Sequence, residues 1–332
     1  MKYASTFGSG WQTIIKKILE EKNTKIIDLL DGLVIFETKE INTYPCFNNM
    51  YLLIDSIKVN SNDFNKNVLM LSKKIKINYK VVNECIKNFK KNTFKIIGLD
   101  EGKPTRINYN EIKSLESSII KNTSMKVSNK PDIEFIFMKR NEGYLYFLLK
   151  LTKDRKTEKY LQKGELRPEV CFLMSKLADI KEESVVLDPF CGTASIPKAI
   201  IKHFKYNMIF AIDNNEEKIV KLRKEYKKNK KNFYIKKGNA LDLNMLENNF
   251  IDLIITDPPW NIYDKKEKDF KKFYSDMLKE FYRVLKENGK IVLLMGNTSD
   301  FEKALNKTLF NVENKLSVLI NGKKASVYLI TK

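Results

Sequence analysis

The chain has 332 residues and is poor in the residues that build metal centres and histidine-dependent hydrolases. It contains a single histidine, His203, and four cysteines, at positions 46, 85, 171 and 191, with no Cys-x-x-Cys pair. One imidazole and no clustered thiols argue against a zinc site and against a Ser-His-Asp triad. We interpret His203 as a surface or packing residue. The four cysteines are expected to be reduced structural thiols, as in a cytosolic protein.

Long apolar runs are also missing. No stretch has the length and apolarity that a bilayer-spanning helix needs, and the first residues lack the apolar core of a signal peptide. We therefore expect a cytoplasmic chain without a membrane partner. Its length predicts two or three domains, and a hydrophobic content of 43% is enough to build their cores.

Positive charge is what the chain has in excess, with 61 Lys and Arg against 41 Asp and Glu. Part of this excess is compositional, because the chain is rich in Lys, Asn and Ile in the manner of an A+T-rich genome. The placement is nevertheless uneven, since residues 66–130 contain 15 basic and 5 acidic side chains. A surface of this kind attracts phosphate backbones, so the segment predicts a nucleic-acid partner.

The motif Asp257-Pro258-Pro259-Trp260 follows a strand-like run over 250–256. The prolines fix φ and lack an N–H, which leaves a rigid loop with outward carbonyls. Asp257 and a proline carbonyl could accept the two N–H groups of an exocyclic amine, and Trp260 could stack on the ring that carries it. The alternative is an ordinary proline turn.

Upstream of this motif, further strand ends have the residues that a nucleotide cofactor needs. Residues 185–196 read as a buried strand, a glycine turn and the start of a helix, and an acid, Asp213, ends the next strand 25 residues after Asp188. An acid at that point typically holds a ribose diol. A third strand leads to Asn239 and Ala240, which could lie against an adenine. The carboxyl ends of parallel strands meet at one edge of a sheet, so these loops should converge.

These residues resemble the class I S-adenosylmethionine-dependent methyltransferases that carry the (D/N)PP(Y/F/W) motif. The resemblance covers the last half of the chain. It implies a Rossmann-like α/β fold with a mostly parallel seven-stranded sheet and a C-terminal antiparallel hairpin. It implies S-adenosyl-L-methionine as the cofactor and no metal. The implied cofactor-binding residues are Glu165, Arg167, Asp188, Pro189, Phe190, Cys191, Gly192, Thr193, Ala194, Asp213, Asn214, Asn239 and Ala240, and the catalytic ones are Asp257, Pro258, Pro259 and Trp260.

Three further features of this half bear on the cofactor and the substrate. The family often has a second glycine where Ala194 stands, and the methyl group there could crowd the cofactor. Glu165 and Arg167 precede a helix that Pro168 opens, so they could equally be a linker and a cap. A loop with Asn261, Tyr263, Lys265 and Lys266 could cover the bound nucleotide.

The rest of the C-terminal half predicts alternating elements. An apolar stripe from Phe270 to Leu285, which includes Tyr274, has helical spacing and is interpreted as core packing. Asn288-Gly289 should end that helix, and Lys290–Met295 should form the fifth strand. Ser299 or Asp300 should cap another helix. Apolar runs on both sides of Asn321-Gly322 predict a hairpin.

The first half predicts strands and helices of an α+β region. Its order includes a Lys-rich helix from about Lys66 to Lys91, a strand over 93–99, a helix over 110–120 and a hairpin at Gly143. This order resembles a THUMP RNA-binding domain behind a ferredoxin-like module. The implied domains are 1–62 (ferredoxin-like), 63–151 (THUMP-like), 152–164 (linker) and 165–332 (methyltransferase). Candidate RNA contacts are Tyr109, Lys121, Asn122 and Asn129.

THUMP-bearing relatives with this motif are similar to tRNA guanine-N2 methyltransferases. The resemblance therefore implies methylation of guanine N2 in tRNA. Adenine-N6 enzymes use the same tetrapeptide and ribosomal RNA enzymes share both modules, so both substrates stay open. An RNA-binding adaptor without catalysis is the alternative of another class. The sequence does not settle whether an activating protein subunit is needed.

Overall fold

The computed structural model describes residues 1–39, 44–87, 93–152, 161, 164–226, 232–260, 270–296 and 298–332. The chain divides into two compact units, one of Met1–Phe7 with Ile18–Asp154 and the other of Gly8–Lys17 with Arg155–Lys332. Most of the predicted linker over 152–164 lies outside the described residues. So do all four residues of the predicted covering loop, Asn261, Tyr263, Lys265 and Lys266.

The first unit is built on one mixed sheet, whose nine strands all lie in the described part of the chain. The strands are β1 (Lys2–Thr6), β2 (Lys25–Leu30), β3 (Leu33–Glu37), β4 (Asn49–Lys58), β5 (Thr93–Asp100), β6 (Lys103–Thr105), β7 (Lys126–Val127), β8 (Ile133–Arg140) and β9 (Tyr144–Lys150). They lie in the order β2-β3-β1-β4-β9-β8-β5-β6, with β7 beside β5. β5 runs parallel to β7 and β8, and the other neighbours are antiparallel.

Two predicted domains share this sheet. β4 precedes the predicted boundary at residue 62, β9 follows it, and the two strands pair antiparallel from Tyr51↔Lys150 to Lys58↔Tyr144. β5 shows why such strands form, because its residues alternate between buried and half-buried positions, with Phe94 and Ile96 on the inner face. The boundary between a ferredoxin-like and a THUMP-like domain stays a prediction.

The helices of this unit correct one expectation. They are α2 (Phe64–Lys74), α3 (Tyr79–Ile86) and α4 (Tyr109–Thr123), while α1 (Gln12–Glu21) has residues in both units. The single Lys-rich helix expected from Lys66 onward is wrong. The chain leaves the helical region at Ile75, and the Asn78 side chain accepts a hydrogen bond from Val81 N and begins a second helix.

The second unit contains a seven-stranded sheet that holds the predicted site. Its strands are β10 (Val185–Asp188), β11 (Met208–Asp213), β12 (Phe233–Lys237), β13 (Ile251–Thr256), β14 (Leu285–Met295), β15 (Asn311–Ile320) and β16 (Lys323–Thr331), in the order β12-β11-β10-β13-β14-β16-β15. The first five strands in this order pair parallel, and β16 pairs antiparallel with β14 and β15. The mostly parallel sheet and its terminal hairpin confirm the fold expected from the sequence.

The helices α5 (Pro168–Leu177), α6 (Ser195–His203), α7 (Glu216–Glu225), α8 (Phe270–Val284) and α9 (Thr298–Leu305) belong to the same unit. The central strands are covered, since every residue of β10 is buried, and this matches their continuous apolar sequence. Residues of β13, α8, β14 and α9 form a large buried cluster, with Leu278 and Phe281 among its fully buried members.

Two boundaries in this unit differ from expectation. α8 ends at Val284 and not at Asn288-Gly289, because the carbonyls of Arg283 and Val284 accept hydrogen bonds from Asn249 N and Phe250 N. The helix end is thereby tied to the start of β13, and the chain continues as β14. Ser299 and Asp300 do not cap α9, since both lie inside its first turn.

Candidate active site

The ends of β10 and β13 form the centre of the candidate site. The two strands are parallel neighbours with Val186↔Leu253 and Leu187↔Ile254 paired, so Asp188 and Thr256 end at the same edge of the sheet. Thr256 is fully buried, and its Oγ1 donates to Asp188 Oδ1 at 2.8 Å. This hydrogen bond joins two loops, which we name the glycine turn (residues 189–194) and the motif loop (residues 257–260).

The glycine turn is held by hydrogen bonds that its own backbone N–H groups donate to the end of β11. Gly192 N donates to Asp213 Oδ2 at 2.8 Å, and Cys191 N donates to Ile212 O at 2.9 Å. Gly192 has a φ of +52°, and a Cβ built there would meet no atom closer than 3.9 Å. The backbone of this turn therefore faces open space, which suits the close approach of a ligand.

Ala194 stands at the helix end of the same turn. It is fully buried and has a φ of +60°, a left-handed conformation that costs about 1–2 kcal/mol for a residue with a Cβ. This strain gives a physical reason for the glycine that the resembled family often has there. The neighbouring Pro189 and Cys191 are buried, whereas Phe190 and Thr193 are half-buried.

Asp213 organises the end of β11. Besides accepting from Gly192, its Oδ1 accepts from Asn215 N at 2.9 Å, and the side chain is 9% exposed. Asn214 is exposed beside it, and Asn215 caps α7 through a hydrogen bond to Lys218 N. The carboxylate therefore fixes the glycine turn and the start of α7 before any ligand is considered.

The other predicted cofactor residues lie in separate segments of this unit. Asn239 is exposed in the turn after β12, and its Oδ1 accepts from Leu241 N at 3.1 Å, while Ala240 is buried. Glu165 and Arg167 are half-buried before α5. Arg167 Nη1 lies 3.6 Å from Oε1 of Glu169, a buried carboxylate that the sequence analysis did not single out.

The motif loop is held by side chains. Trp260 Nε1 donates to Asp257 Oδ1 at 2.8 Å, and the Tyr274 hydroxyl donates to Pro259 O at 3.3 Å. Asp257 and Trp260 are half-buried, Pro258 is buried and Pro259 is exposed. The indole also lies against Gly296, where an added Cβ would overlap its six-membered ring.

Two carboxyl groups in this site have strongly raised pKa values. Burial raises the pKa of Asp188 to about 7 against the hydrogen bonds from Thr256 and Phe190 N, and the charge of Asp213 adds to the rise. Burial also raises the pKa of Asp257 to about 7. The hydrogen bond from Trp260 opposes that rise and the charge of Asp188 adds to it. Neighbouring acids with such pKa values are frequent at functional sites.

The cysteines and the histidine behave as simple packing residues. All four cysteines are buried, and none of them forms a disulfide bond within the described part of the chain. Burial raises the pKa of Cys171 and of Cys191 well above the usual value, so neither is an activated nucleophile. His203 is exposed on α6, with its ring edge against Phe172 at a centroid distance of 5.4 Å.

Four residues of the site were missed by the sequence analysis: Glu169, Thr256, Tyr274 and Gly296. Thr256 directly precedes the motif and Gly296 follows the fifth strand, so their positions were a usable signal. Tyr274 was assigned to the core because of its place in the apolar stripe. Its ring does lie in the core, and only its hydroxyl reaches the motif loop.

The first unit has a groove of about 780 Å³ bordered by β5, β6 and α4. Three of its apolar residues are exposed: Tyr109 by 57%, Ile120 by 43% and Val127 by 49%. Its basic lining residues are Lys95, Arg106 and Lys113. Of the candidate RNA contacts, Tyr109 and Asn129 line this groove. Asn122 is instead engaged with Ser118 O and Asn83, and Lys121 is exposed on α4.

Metal-binding clusters and membrane-spanning helices are both absent from the described residues. These residues contain no cluster of three or more His, Cys, Asp or Glu side chains arranged to hold a metal ion. Over the same residues, no helix combines the length and the apolar character that crossing a bilayer requires.

Known proteins resemble this chain in sequence and in fold. The family described as UPF0020, RMKL-like, methyltransferase domain, matches residues 155–325, just over half of the chain. A Methanocaldococcus jannaschii protein named tRNA (guanine(6)-N2)-methyltransferase is 25% identical over 193 residues, which cover 47% of this chain and 51% of that protein. From the same organism, a protein named tRNA (guanine(10)-N2)-dimethyltransferase is 29% identical over 254 residues, which cover 64% of this chain and 68% of that protein.

The crystal structure of TrmN from Thermus thermophilus has a TM-score of 0.78 and 16% identity, over 100% of this chain and 99% of that one. This likeness shows the fold, including the class I architecture around β10–β16. In sequence, this chain matches only about half the length of the first archaeal relative.

Proposed function

The chain belongs to the UPF0020 family of RMKL-like methyltransferases, and on that premise we propose that it methylates N2 of guanine in an RNA, with tRNA as the substrate. The methyl donor is S-adenosyl-L-methionine. The observation that carries the proposal is the Thr256–Asp188 hydrogen bond, because it sets the motif loop directly beside the glycine turn. A donor bound on one loop and an amine bound on the other would meet at this edge.

The described residues fit that cofactor. The open space at Gly192 admits a ligand against the glycine turn, and the exposed Asn214 beside the Asp213 carboxylate offers polar groups for a ribose diol. The amide nitrogen of Asn239 is available on an exposed turn, since its Oδ1 is the atom that closes that turn. Asp188, Phe190 and Ala240 would line the same cleft, and Glu165 and Arg167 would lie at its methionine end.

S-adenosylmethionine supplies an electrophilic methyl carbon on a sulfonium leaving group, so the protein's task is positioning and electrostatics. In the proposal, Asp257 accepts one N–H of the guanine amino group and turns its nitrogen lone pair toward the methyl carbon. A proline carbonyl accepts the second N–H. The methyl carbon would leave the sulfonium sulfur as its bond to the amino nitrogen forms, and Asp257, with a pKa of about 7, would take the proton that this nitrogen releases.

Trp260 would stack on the flipped base. In the structure its indole N–H donates to Asp257 Oδ1, so the amino group of the base would bind the other carboxylate oxygen or take the place of the indole at Oδ1. The exchange is nearly neutral in hydrogen bonds, because one N–H donor to the carboxylate is replaced by another.

The RNA-binding role of the first unit rests on the groove and on charge. Exposed Tyr109 offers a stacking surface, and Lys95, Arg106 and Lys113 offer cationic groups around it. Residues 66–130, which include most of this groove, have 15 basic and 5 acidic side chains. Both archaeal relatives are named for tRNA substrates, which favours tRNA and, with it, a cytoplasmic location.

The direct test is methyl transfer from labelled S-adenosylmethionine to total tRNA and, separately, to ribosomal RNA from the source organism. Nucleoside mass spectrometry of the product should show N2-methylguanosine in the tRNA arm. N6-methyladenosine, or product only in the ribosomal arm, would contradict the assigned substrate. Cofactor and RNA binding without any product in either arm would favour a non-catalytic adaptor.

A further inference from the structure

The motif loop is gripped from two sides by residues that lie outside it. On one side the Tyr274 hydroxyl donates to Pro259 O at 3.3 Å, and on the other the Trp260 indole rests on the backbone of Gly296. Tyr274 lies on α8, and Gly296 directly follows β14. Both neighbours therefore come from segments of the chain outside the four motif residues.

The Tyr274 ring cannot move to follow the loop. It is fully buried, and it packs edge-on against Phe273 at 5.4 Å and against Phe301 at 5.8 Å between ring centroids. Burial raises the pKa of the Tyr274 hydroxyl to about 12, so it is a permanent donor at neutral pH. Because this donor is held in the core, its hydrogen bond restrains the Pro259 carbonyl in the motif loop.

The contact between Gly296 and the Trp260 indole restrains the other side of the motif loop. Any side chain at that position would overlap the indole, so the position of the ring depends on the absence of a Cβ. Because the indole N–H is bonded to Asp257 Oδ1 at 2.8 Å, a displaced indole would move or release the carboxylate as well. The positions of Pro259, Trp260 and Asp257 are thus linked through direct contacts.

We propose that Tyr274 is a positioning residue for methyl transfer, which holds the motif loop through the Pro259 carbonyl while Gly296 provides the seat of Trp260. This inference rests on the proposed function, since it assigns Asp257 the role of orienting the amino group. Tyr274 itself touches neither donor nor base in this proposal. Its hydroxyl acts by keeping the loop in the one geometry that presents the Asp257 carboxylate.

A matched pair of variants tests this role. Tyr274→Phe removes one hydroxyl and keeps the ring, and Tyr328→Phe does the same at another buried tyrosine. Tyr328 also packs on Phe301, at 5.1 Å, but its hydroxyl donates to Glu302 Oε1 at 2.6 Å, away from the motif loop. We expect Tyr274→Phe to lower kcat about tenfold with an unchanged KM for S-adenosylmethionine, and Tyr328→Phe to leave both near the wild-type values.

Tryptophan fluorescence separates this inference from the proposed function. The chain has two tryptophans, Trp11 and Trp260, so all variants are compared in a Trp11→Phe background, in which Trp260 is the one remaining tryptophan. We expect a changed emission in Tyr274→Phe and in Gly296→Ala. We expect none in Tyr328→Phe or in Gly289→Ala, whose added methyl group would have atoms of Leu285 and Lys286 as its nearest contacts.

These readouts fail in different ways. If wild-type protein methylates no RNA but the two variants still shift the emission, the proposed function is wrong and the positioning contact stands. If Tyr274→Phe keeps full kcat and an unchanged emission, the positioning role is wrong. Equal losses of kcat in Tyr274→Phe and Tyr328→Phe would show that Tyr274 acts through core packing and not by positioning the motif loop.

Discussion

The glycine turn and the motif loop follow neighbouring parallel strands, yet they are held in different ways. The glycine turn is fixed by main-chain donors, with Gly192 N and Cys191 N bound to atoms at the end of β11. The motif loop has two prolines, which have no main-chain donor, and its contacts come from the side chains of Trp260 and Tyr274. The first loop is therefore a backbone surface, and the second is a set of side chains fixed by other side chains.

This difference matches what each loop has to bind in the proposed reaction. A cofactor that is always the same can be held by a fixed backbone cradle. A base that must enter, be methylated and leave needs groups that can exchange partners. The Asp257 carboxylate already has such a partner, because the indole N–H donates to one of its two oxygens. The two loops can be separated by experiment, since damage to each should affect a different step.

The largest effect is expected at Asp257. Asp257→Ala removes the acceptor for the amino group, so kcat should fall at least about 100-fold, while the affinity for S-adenosylmethionine stays unchanged. Asp257→Asn keeps one carbonyl acceptor and should retain more activity than the alanine variant. Single-turnover methylation and calorimetric titration of the cofactor measure the two quantities. Full activity in Asp257→Ala would show that the motif loop does not take part in methyl transfer through Asp257.

Gly192 is the matching position in the glycine turn. Gly192→Ala should weaken S-adenosylmethionine binding about tenfold or more, because its methyl group would enter the open space beside the turn. Gly322→Ala is the control, since Gly322 also has a positive φ, +77°, and nothing lies within 4 Å of an added Cβ. Both variants should lose about 1 kcal/mol of unfolding free energy to left-handed strain.

Cofactor affinity then decides the assignment of the glycine turn. Titration calorimetry should show weaker binding in Gly192→Ala alone. If the two alanine variants bind the cofactor equally well, S-adenosylmethionine does not bind at the glycine turn.

The difference between the loops also explains what the sequence could and could not predict. Buried apolar runs before Asp188 and Asp257 identified β10 and β13, and parallel pairing follows from the alternation of strands and helices. Residues of the glycine turn are close in sequence or end the next strand, so their contacts were within reach of a local pattern.

The sequence did not allow a prediction of the residues that hold the motif loop. Tyr274 has the same helical spacing as its apolar neighbours on α8, and spacing alone does not show where a hydroxyl points. Gly296 owes its role to a ring 36 positions earlier in the chain, which only the folded sheet brings close. The prediction of where α8 ends was wrong for the same reason. Its last carbonyls accept hydrogen bonds from the amides of Asn249 and Phe250, which are distant in sequence.

A smaller effect is expected at the hydrogen bond that joins the loops. Thr256→Val removes the donor to Asp188 Oδ1 and should lower the unfolding free energy by about 1 kcal/mol. The bond stabilises the charged form of Asp188, whose pKa is about 7, so the loss should be larger at pH 8 than at pH 6. Thr256→Ser keeps the hydroxyl and should show no such pH dependence. Denaturant unfolding at both pH values measures the difference, and a loss that does not change with pH would contradict it.

The smallest effect is a shift of the pH profile. The proposed reaction needs the Asp257 carboxylate, so kcat should be low below its pKa of about 7 and rise with pH to a plateau above it. Burial is the main cause of the raised pKa and the negative charge of Asp188 is a lesser one, so Asp188→Asn should move the midpoint to lower pH. Rates at saturating cofactor test this, because Asp188 also borders the glycine turn. A midpoint that stays in place would show that the two carboxyl groups titrate independently, so that only the Thr256 hydrogen bond couples the two loops. A midpoint that moves to higher pH would contradict the direction of the Asp188 effect.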